Sequence, residues 1–323
     1  VLDTWLTREL GISVPLLGAP MGGRAGGRLA GEVTRAGGLG LIGAARYNTA
    51  EWIEGEVRTA REIGGGAVGF GLMTWALADD DSLLTAVLEY RPQLVTLSFG
   101  DPAPYIERVH EAGAVVLSQI NTVDDLRVVE AAGVDAVIAQ GHEAGGHTGR
   151  IGTLPLLQEV LESTSLPVLA AGGIATGRGL AAVLAAGGQG ALVGTALLAS
   201  PETVGPDYAR GRLVEAGSAD TVYTDVFDKA RHQPWPARWG GRALRNAFTE
   251  EWHGRGADED TLAAAYTGDD PDIGVVYAGG GRRSGALRAT RGRGDPGYRR
   301  TGGDPAVPLP LSTAPAHGRP HSS

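Results

Sequence analysis

Over about the first 200 residues, short runs rich in Val, Ile and Leu alternate with longer amphipathic stretches. The unit of strand, helix, Ala-Gly and next strand returns roughly every 25 to 30 residues, which restricts the chain to successive βα units around a parallel sheet. The strand candidates are Val14–Ala19, Gly40–Gly43, Ala67–Leu72, Leu94–Phe99, Ala114–Ile120, Ala136–Gln140, Pro167–Ala171 and Ala191–Gly194. Between them lie helical segments at Leu29–Ala36, Ala50–Ile63, Ser82–Glu89, Tyr105–Glu111, Val123–Ala132, Leu154–Glu162 and Arg178–Ala186. Several end at Ala-Gly (Ala36-Gly37, Ala112-Gly113, Ala132-Gly133, Ala186-Gly187), where glycine can take the left-handed position after a helix. Eight such strands predict an α/β fold, a (β/α)8 TIM barrel spanning residues 1–202.

The rhythm stops near Thr203. Residues 203–279 mix polar sequence with Trp235, Trp239, Arg242, Phe248 and Trp252, and predict a helical excursion that covers the barrel mouth and completes the domain. Residues 280–323 hold eight arginines, no lysine and two aspartates amid Gly, Pro and Ser, a composition that predicts a disordered tail.

In a barrel of this kind the site lies at the C-terminal ends of the strands, and a phosphate is often held after the last two. Gly172-Gly173 and Gly194-Thr195 occupy those places, and their main-chain N–H groups, with the helix starts beyond, can cradle an anion. At the first strand, Gly18-Ala19-Pro20-Met21-Gly22-Gly23 offers a surface over which a flat ring could lie, although Met21 equally suits a core plug. The sixth strand ends in Ala139-Gln140-Gly141-His142-Glu143-Ala144-Gly145-Gly146-His147-Thr148-Gly149, a glycine-rich loop with two imidazoles. Five residues apart on a helix, His142 and His147 would point about 140° from one another, so a zinc site of the His-Glu-x-x-His kind is not expected and no metal is assigned. A histidine acting as acid, base or hydrogen-bond donor remains, beside the plainer reading of a structural loop residue.

Composition narrows the partners. A formal charge of −9 with Lys229 as the single lysine argues against nucleic acid, and no apolar run reaches membrane-spanning length. The first residues carry acids where a secretory leader would be basic, so a cytoplasmic protein is expected. Without cysteine there is no thiolate chemistry, and redox work would fall to a bound cofactor. The Gly-x-Gly-x-x-Gly matches at Gly38/Gly40/Gly43 and Gly64/Gly66/Gly69 follow a helix and lead into a strand, the reverse of a dinucleotide loop.

Four segments together resemble the nitronate monooxygenases: Gly18-Ala19-Pro20-Met21, the 139–149 loop, Ala170-Ala171-Gly172-Gly173-Ile174-Ala175-Thr176-Gly177-Arg178-Gly179, and Gly194-Thr195-Ala196. The resemblance implies noncovalent FMN with Met21 beside the flavin, Gln140 and Gly145 in contact with it, and Gly173 with Leu192, Val193, Gly194 and Thr195 holding ring and phosphate. It implies His147 as the catalytic residue over the reactive side of the flavin, acting on an alkyl nitronate with molecular oxygen to give a carbonyl compound and nitrite. Leu192-Val193 stand where the family often has Gln-Met, and Gly71 where many members carry a flavin-contacting asparagine. Two other readings are a flavin-type enoyl-acyl-carrier-protein reductase, which shares the barrel and much of the glycine pattern, and a non-catalytic flavin-binding protein.

Overall fold

Strand alternation sets the architecture: in each barrel strand one parity of side chains faces the axis and the other faces the surrounding helices. The computed structural model describes residues 2–281. Its strands are β1 (Leu16–Gly18), β2 (Leu39–Gly43), β3 (Gly69–Met73), β4 (Leu94–Ser98), β5 (Val115–Ile120), β6 (Ala136–Gln140), β7 (Gly146–Thr148), β8 (Val168–Ala171), β9 (Gly190–Val193), β10 (Thr221–Thr224) and β11 (Gly240–Leu244). Helices α1 (Trp5–Leu10), α2 (Gly27–Arg35), α3 (Ala50–Gly64), α4 (Thr74–Leu77), α5 (Ser82–Leu88), α6 (Ala103–Glu111), α7 (Val123–Ala132), α8 (Thr153–Ser163) and α9 (Gly177–Ala185) accompany the barrel. The excursion adds α10 (Asp207–Glu215), α11 (Val226–Ala230), α12 (Ala247–Trp252) and α13 (Glu259–Ala265).

Strands β1 to β6, β8 and β9 pair in parallel and close into a barrel, with β1 hydrogen-bonded to both β2 and β9. These eight are the eight expected from the sequence. The glycines of the four Ala-Gly pairs, Gly37, Gly113, Gly133 and Gly187, all have positive φ, so each turns the chain from its helix toward the next strand. Helix α2 needs glycine for a different reason. A Cβ on Gly27 would lie 2.0 Å from the carbonyl oxygen of Glu56, and one on Gly31 would lie 2.7 Å from Cβ of Ile63, so α2 and α3 touch almost backbone to backbone.

Inside the barrel Leu17, Leu39, Leu41, Leu94, Leu117, Ile138 and Leu169 form a buried column, closed at one end by Leu6 and Leu10 of α1. The opposite parity, Ile42, Phe70, Val95, Val116 and Val137 among others, packs against the helices. Following the inward parity toward the strands' C-terminal ends, the column changes character: Leu94 gives way to Thr96 and Ser98, Leu117 to Gln119, and Ile138 to Gln140. The barrel is therefore apolar below and polar at its mouth.

The excursion over that mouth is present, and it holds strands as well as helices. Strand β10 pairs antiparallel with β11, and β11 antiparallel with β7, in a three-stranded sheet with Gly241 opposite His147. Segment 146–148 of the histidine loop, which reads as flexible in sequence, is thus a strand. Helices α11, α12 and α13 share an aromatic core of Phe227, Phe248, Trp252 and Tyr266. Of the tail expected over 280–323, all but Gly280 and Gly281 lies outside the described residues. Among those described, no helix is long and apolar enough to cross a membrane.

Candidate active site

A cavity of about 450 Å³ lies over the barrel mouth, within the ordinary range for a small-molecule site. Met21, Gln140, Gly145, His147, Gly172, Gly173, Leu192, Gly194 and Thr195 all line it, so the strand ends gather nearly every residue singled out from the sequence. Val193 does not. It has the outward parity of β9, and its carbonyl accepts from the N–H of Ala19 at 2.9 Å.

The glycines allow close approach. Gly172 has φ +101° and a Cβ there would sit 2.8 Å from Oγ1 of Thr153; Gly173 has φ +73°. A Cβ on Gly145 would lie 2.5 Å from the N–H nitrogen of Gly279, so this glycine admits the returning chain. The N–H of Gly279 donates to Oγ1 of Thr195 at 2.9 Å, and that of Gly280 to the carbonyl of Glu143 at 2.8 Å. One expectation changes: α9 begins after the Gly172-Gly173 turn, but no α-helix starts directly after Gly194-Thr195, where a run of turns leads on toward α10. Met21 lines the cavity and packs against two small apolar clusters. At Gly71 a Cβ would fall 2.1 Å from Cγ of Pro20, so Pro20 fills the space an asparagine would need.

His147 is buried, and its Nε2 lies 2.8 Å from Oδ2 of Asp228 on α11, itself buried. The other oxygen of Asp228 accepts from the Tyr277 hydroxyl at 3.0 Å and from Nη2 of Arg231 at 3.4 Å. An ionised carboxylate can only accept, so this contact puts a proton on Nε2 of His147, and in the neutral ring Nδ1 is then the acceptor. No described residue bonds that Nδ1. The indole of Trp235 stacks on the imidazole with ring centroids 3.4 Å apart and planes 10° apart, and is held edge-on by Trp75 and Phe99. Phe99 has φ +67°, a strained conformation for an aromatic residue at the cavity wall.

Burial pushes the Tyr277 hydroxyl far above the usual tyrosine range, against the pull of Arg231, so it remains a donor to Asp228. Burial alone would pull Arg231 down, but Tyr277, Tyr266 and Asp228 outweigh it and hold the guanidinium above its ordinary value.

Behind this group runs a chain of amides. The Trp239 indole N–H donates to Asn121 at 3.0 Å, Asn121 donates to the side-chain oxygen of Gln140 at 2.9 Å, and Gln140 donates to the carbonyl of His147 at 3.2 Å. Gln140 therefore braces the histidine's main chain while one amide hydrogen stays free. Gln119, one strand away, also lines the cavity, and its buried Nε2 finds no partner among the described residues. A buried donor left unpaired at a cavity wall is open to an acceptor placed in the cavity.

His142 is differently placed. Its Nδ1 bonds the carbonyl of Gly149 at 2.9 Å, its Nε2 accepts from Arg242, and it does not line the cavity. Nδ1 closes the loop on itself, and Nε2 fastens it to β11. Asp228, Arg231, Tyr277, Trp235 and Gln119 escaped the sequence reading. Trp235 alone gave a signal, as one aromatic among several in polar sequence; nothing around Asp228 forms a motif.

The family model for nitronate monooxygenase matches residues 67–287. A 5-hydroxy-7a-methyl-1-oxo-octahydroindene-4-carboxyl-CoA dehydrogenase from Mycobacterium tuberculosis is 35% identical over 235 residues, 72% of this chain and 66% of that protein, a little under two thirds of its length. A probable nitronate monooxygenase from Staphylococcus aureus is 28% identical over 312 residues, covering 83% of this chain and 82% of that protein. Among solved structures, FabK from Thermotoga maritima superposes with a TM-score of 0.74 at 31% identity, over 87% of this chain and 89% of the other. Nitroalkane oxidase from Streptomyces ansochromogenes gives 0.71 at 33%, over 85% and 91%.

Proposed function

Because the chain belongs to the nitronate monooxygenase family, we propose that it is an FMN-dependent oxidoreductase that converts alkyl nitronates, and nitroalkanes once deprotonated, with molecular oxygen into a carbonyl compound and nitrite. The buried hydrogen bond between His147 and Asp228 at the cavity wall carries this reading. The donor set suits the cofactor. Ala19 and Met21 offer a surface for the ring, the turns at Gly172-Gly173 and Gly194-Thr195 offer main chain to the phosphate, and the unpaired Nε2 of Gln119 offers a donor to a polar ring edge.

When bound, FMN supplies the electron acceptor that neither this chain's side chains nor its main chain can provide. His147 does the acid–base work. With Nε2–H held by Asp228, Nδ1 takes the α-proton of a neutral nitroalkane, or, once protonated, donates to a nitronate oxygen. Asp228 stabilises the positive charge that forms on the ring, as the carboxylate of a catalytic triad does. Trp235 fixes the plane of the imidazole, so the lone pair keeps one direction. The aromatic wall of Trp235 and Phe99 keeps water from that side of the ring.

The purified protein should be yellow, release FMN identified by mass, and consume oxygen with release of nitrite from propane-2-nitronate. A colourless protein that takes up no FMN overturns the proposal. Rapid bleaching by NADH without oxygen, and no nitrite, reassigns it to enoyl-thioester reduction; yellow protein with neither activity makes it a flavin-binding protein alone. The name of the Mycobacterium relative makes a CoA thioester a useful further test substrate.

A further inference from the structure

The turn between β1 and α2 carries Arg24, whose side chain lines the same cavity. It is half-buried, yet its guanidinium makes no hydrogen bond or ion pair with any described residue. Other arginines around the site are engaged: Arg231 with Asp228 and Tyr277, Arg242 with Thr221 and the carbonyl of His142, Arg210 with Asp207. Burial lowers the pKa of Arg24 below the ordinary arginine range; Tyr208 opposes the shift and Arg210 adds to it. Its five N–H donors meet no acceptor among the described residues and keep some access to solvent, so they are available to a ligand. Although the chain carries a formal charge of −9, none of the described carboxylates pairs with Arg24.

The surrounding loop is shaped to the guanidinium. The N–H of Val204 donates to the carbonyl of Arg24 at 3.0 Å, fixing the turn against the segment after β9. A Cβ on Gly205, φ +119°, would lie 2.1 Å from Nη1 of Arg24, so any side chain there would displace the head group. Tyr47, largely exposed, lines the cavity beside this turn, with its hydroxyl 3.2 Å from where a Cβ of Gly23 would stand.

We propose that Arg24, seated on Gly205, is the recognition residue of an anion subsite at the cavity mouth, taking a carboxylate or phosphate on the molecule that fills the cavity. Two sources share that chemistry: an acidic group at the far end of the substrate, and the phosphate of the flavin. The inference deepens the reading of this cavity as a flavin and substrate site, but does not depend on nitronate chemistry. A planar guanidinium donates to two oxygens at once, which suits an oxyanion better than a lone carbonyl.

The test compares wild type with Arg24→Gln, Arg24→Lys and Gly205→Ala. Each is titrated with FMN and with riboflavin by flavin fluorescence, and the loaded protein with hexanoate and with 1-hexanol by flavin absorbance. Arg24→Gln should weaken hexanoate roughly 10- to 100-fold while leaving 1-hexanol unchanged, the loss expected for a charge-assisted hydrogen bond. Arg24→Lys should recover part of it, and Gly205→Ala should mimic the loss without removing the charge. If FMN weakens instead, with riboflavin and hexanoate unaffected, the anion is the cofactor's phosphate. Arg24→Gln that matches wild type toward both FMN and hexanoate overturns the subsite, as does a wild type that prefers neither hexanoate to 1-hexanol nor FMN to riboflavin. Nitrite release is measured separately, so failure of the nitronate reading leaves these binding results legible.

Discussion

The two sides of the cavity are made of different material. On the barrel side the groups that face it are mostly small residues and main chain, among them Ala19, Gly43, Gly71, Gly172, Gly173 and Gly194. On the excursion side they are large side chains, and Arg231, Trp235 and Tyr277 are tied to one another or to the His147–Asp228 pair. Each glycine turn belongs to its own βα unit, whereas Asp228 reaches His147 across 81 positions of sequence. On the proposed reading, holding the cofactor and moving a proton would be separable: the first would rest on local backbone, the second on a group the excursion brings back over the mouth.

That separation can be broken most sharply at His147, which sits on β7 where the two sides meet. His147→Asn should keep its flavin and lose about 10²- to 10⁴-fold in turnover of neutral nitroalkanes, if the wild type uses them, with a smaller loss on a preformed nitronate that needs no deprotonation. Steady-state nitrite release with both substrates decides it; full turnover of both would remove His147 from catalysis.

Asp228→Asn probes the excursion alone. It keeps the shape but replaces one acceptor oxygen with a donor, so His147 can lose the tautomer that leaves Nδ1 free; kcat should fall on the order of 10²-fold with flavin content unchanged. Flavin loss in step with activity would show instead that the dyad supports the cradle. Gly172→Ala probes the barrel alone. Its positive φ and the 2.8 Å approach to Thr153 should cost about 1 to 3 kcal/mol of stability and lower flavin occupancy. Turnover per bound flavin should stay at the wild-type level, measured against the flavin absorbance of the same sample.

The smallest effect is expected at His142. Replacing it with Asn removes its bonds to Gly149 and Arg242, for about 1 kcal/mol of stability seen in thermal melts, without changing turnover per bound flavin. A damaged reaction with intact stability would reverse the roles of the two histidines.

How legible each side was follows from the same difference. The barrel strands, the positive-φ glycines after the helices and the turns at Gly172-Gly173 could be read directly, because period-two alternation and helix stop signals are written in neighbouring residues. The excursion gave only an aromatic-rich outline. Its two strands depend on distant chain rather than on neighbouring residues: β10 pairs with β11, and β11 with β7 from the loop after β6. Motif position puts Val193 with the cofactor set, but strand parity points its side chain away from the cavity.

The eight-stranded barrel, the positive-φ glycines after its helices and the glycine turns at its mouth could be read from the chain alone. Each of these depends on the conformational preferences of residues within a few positions of one another. The different surroundings of the two histidines come from packing between distant elements: His142 bonds Gly149 in its own loop and Arg242 on β11, whereas His147 meets Asp228 through one ring nitrogen and no described residue through the other. Such packing likewise put Pro20 where an asparagine at position 71 would reach, and left Gln119 and Arg24 facing the cavity unpaired. Those outcomes belong to contacts closed between distant elements, where a side chain's role is fixed by what packs beside it and by what does not.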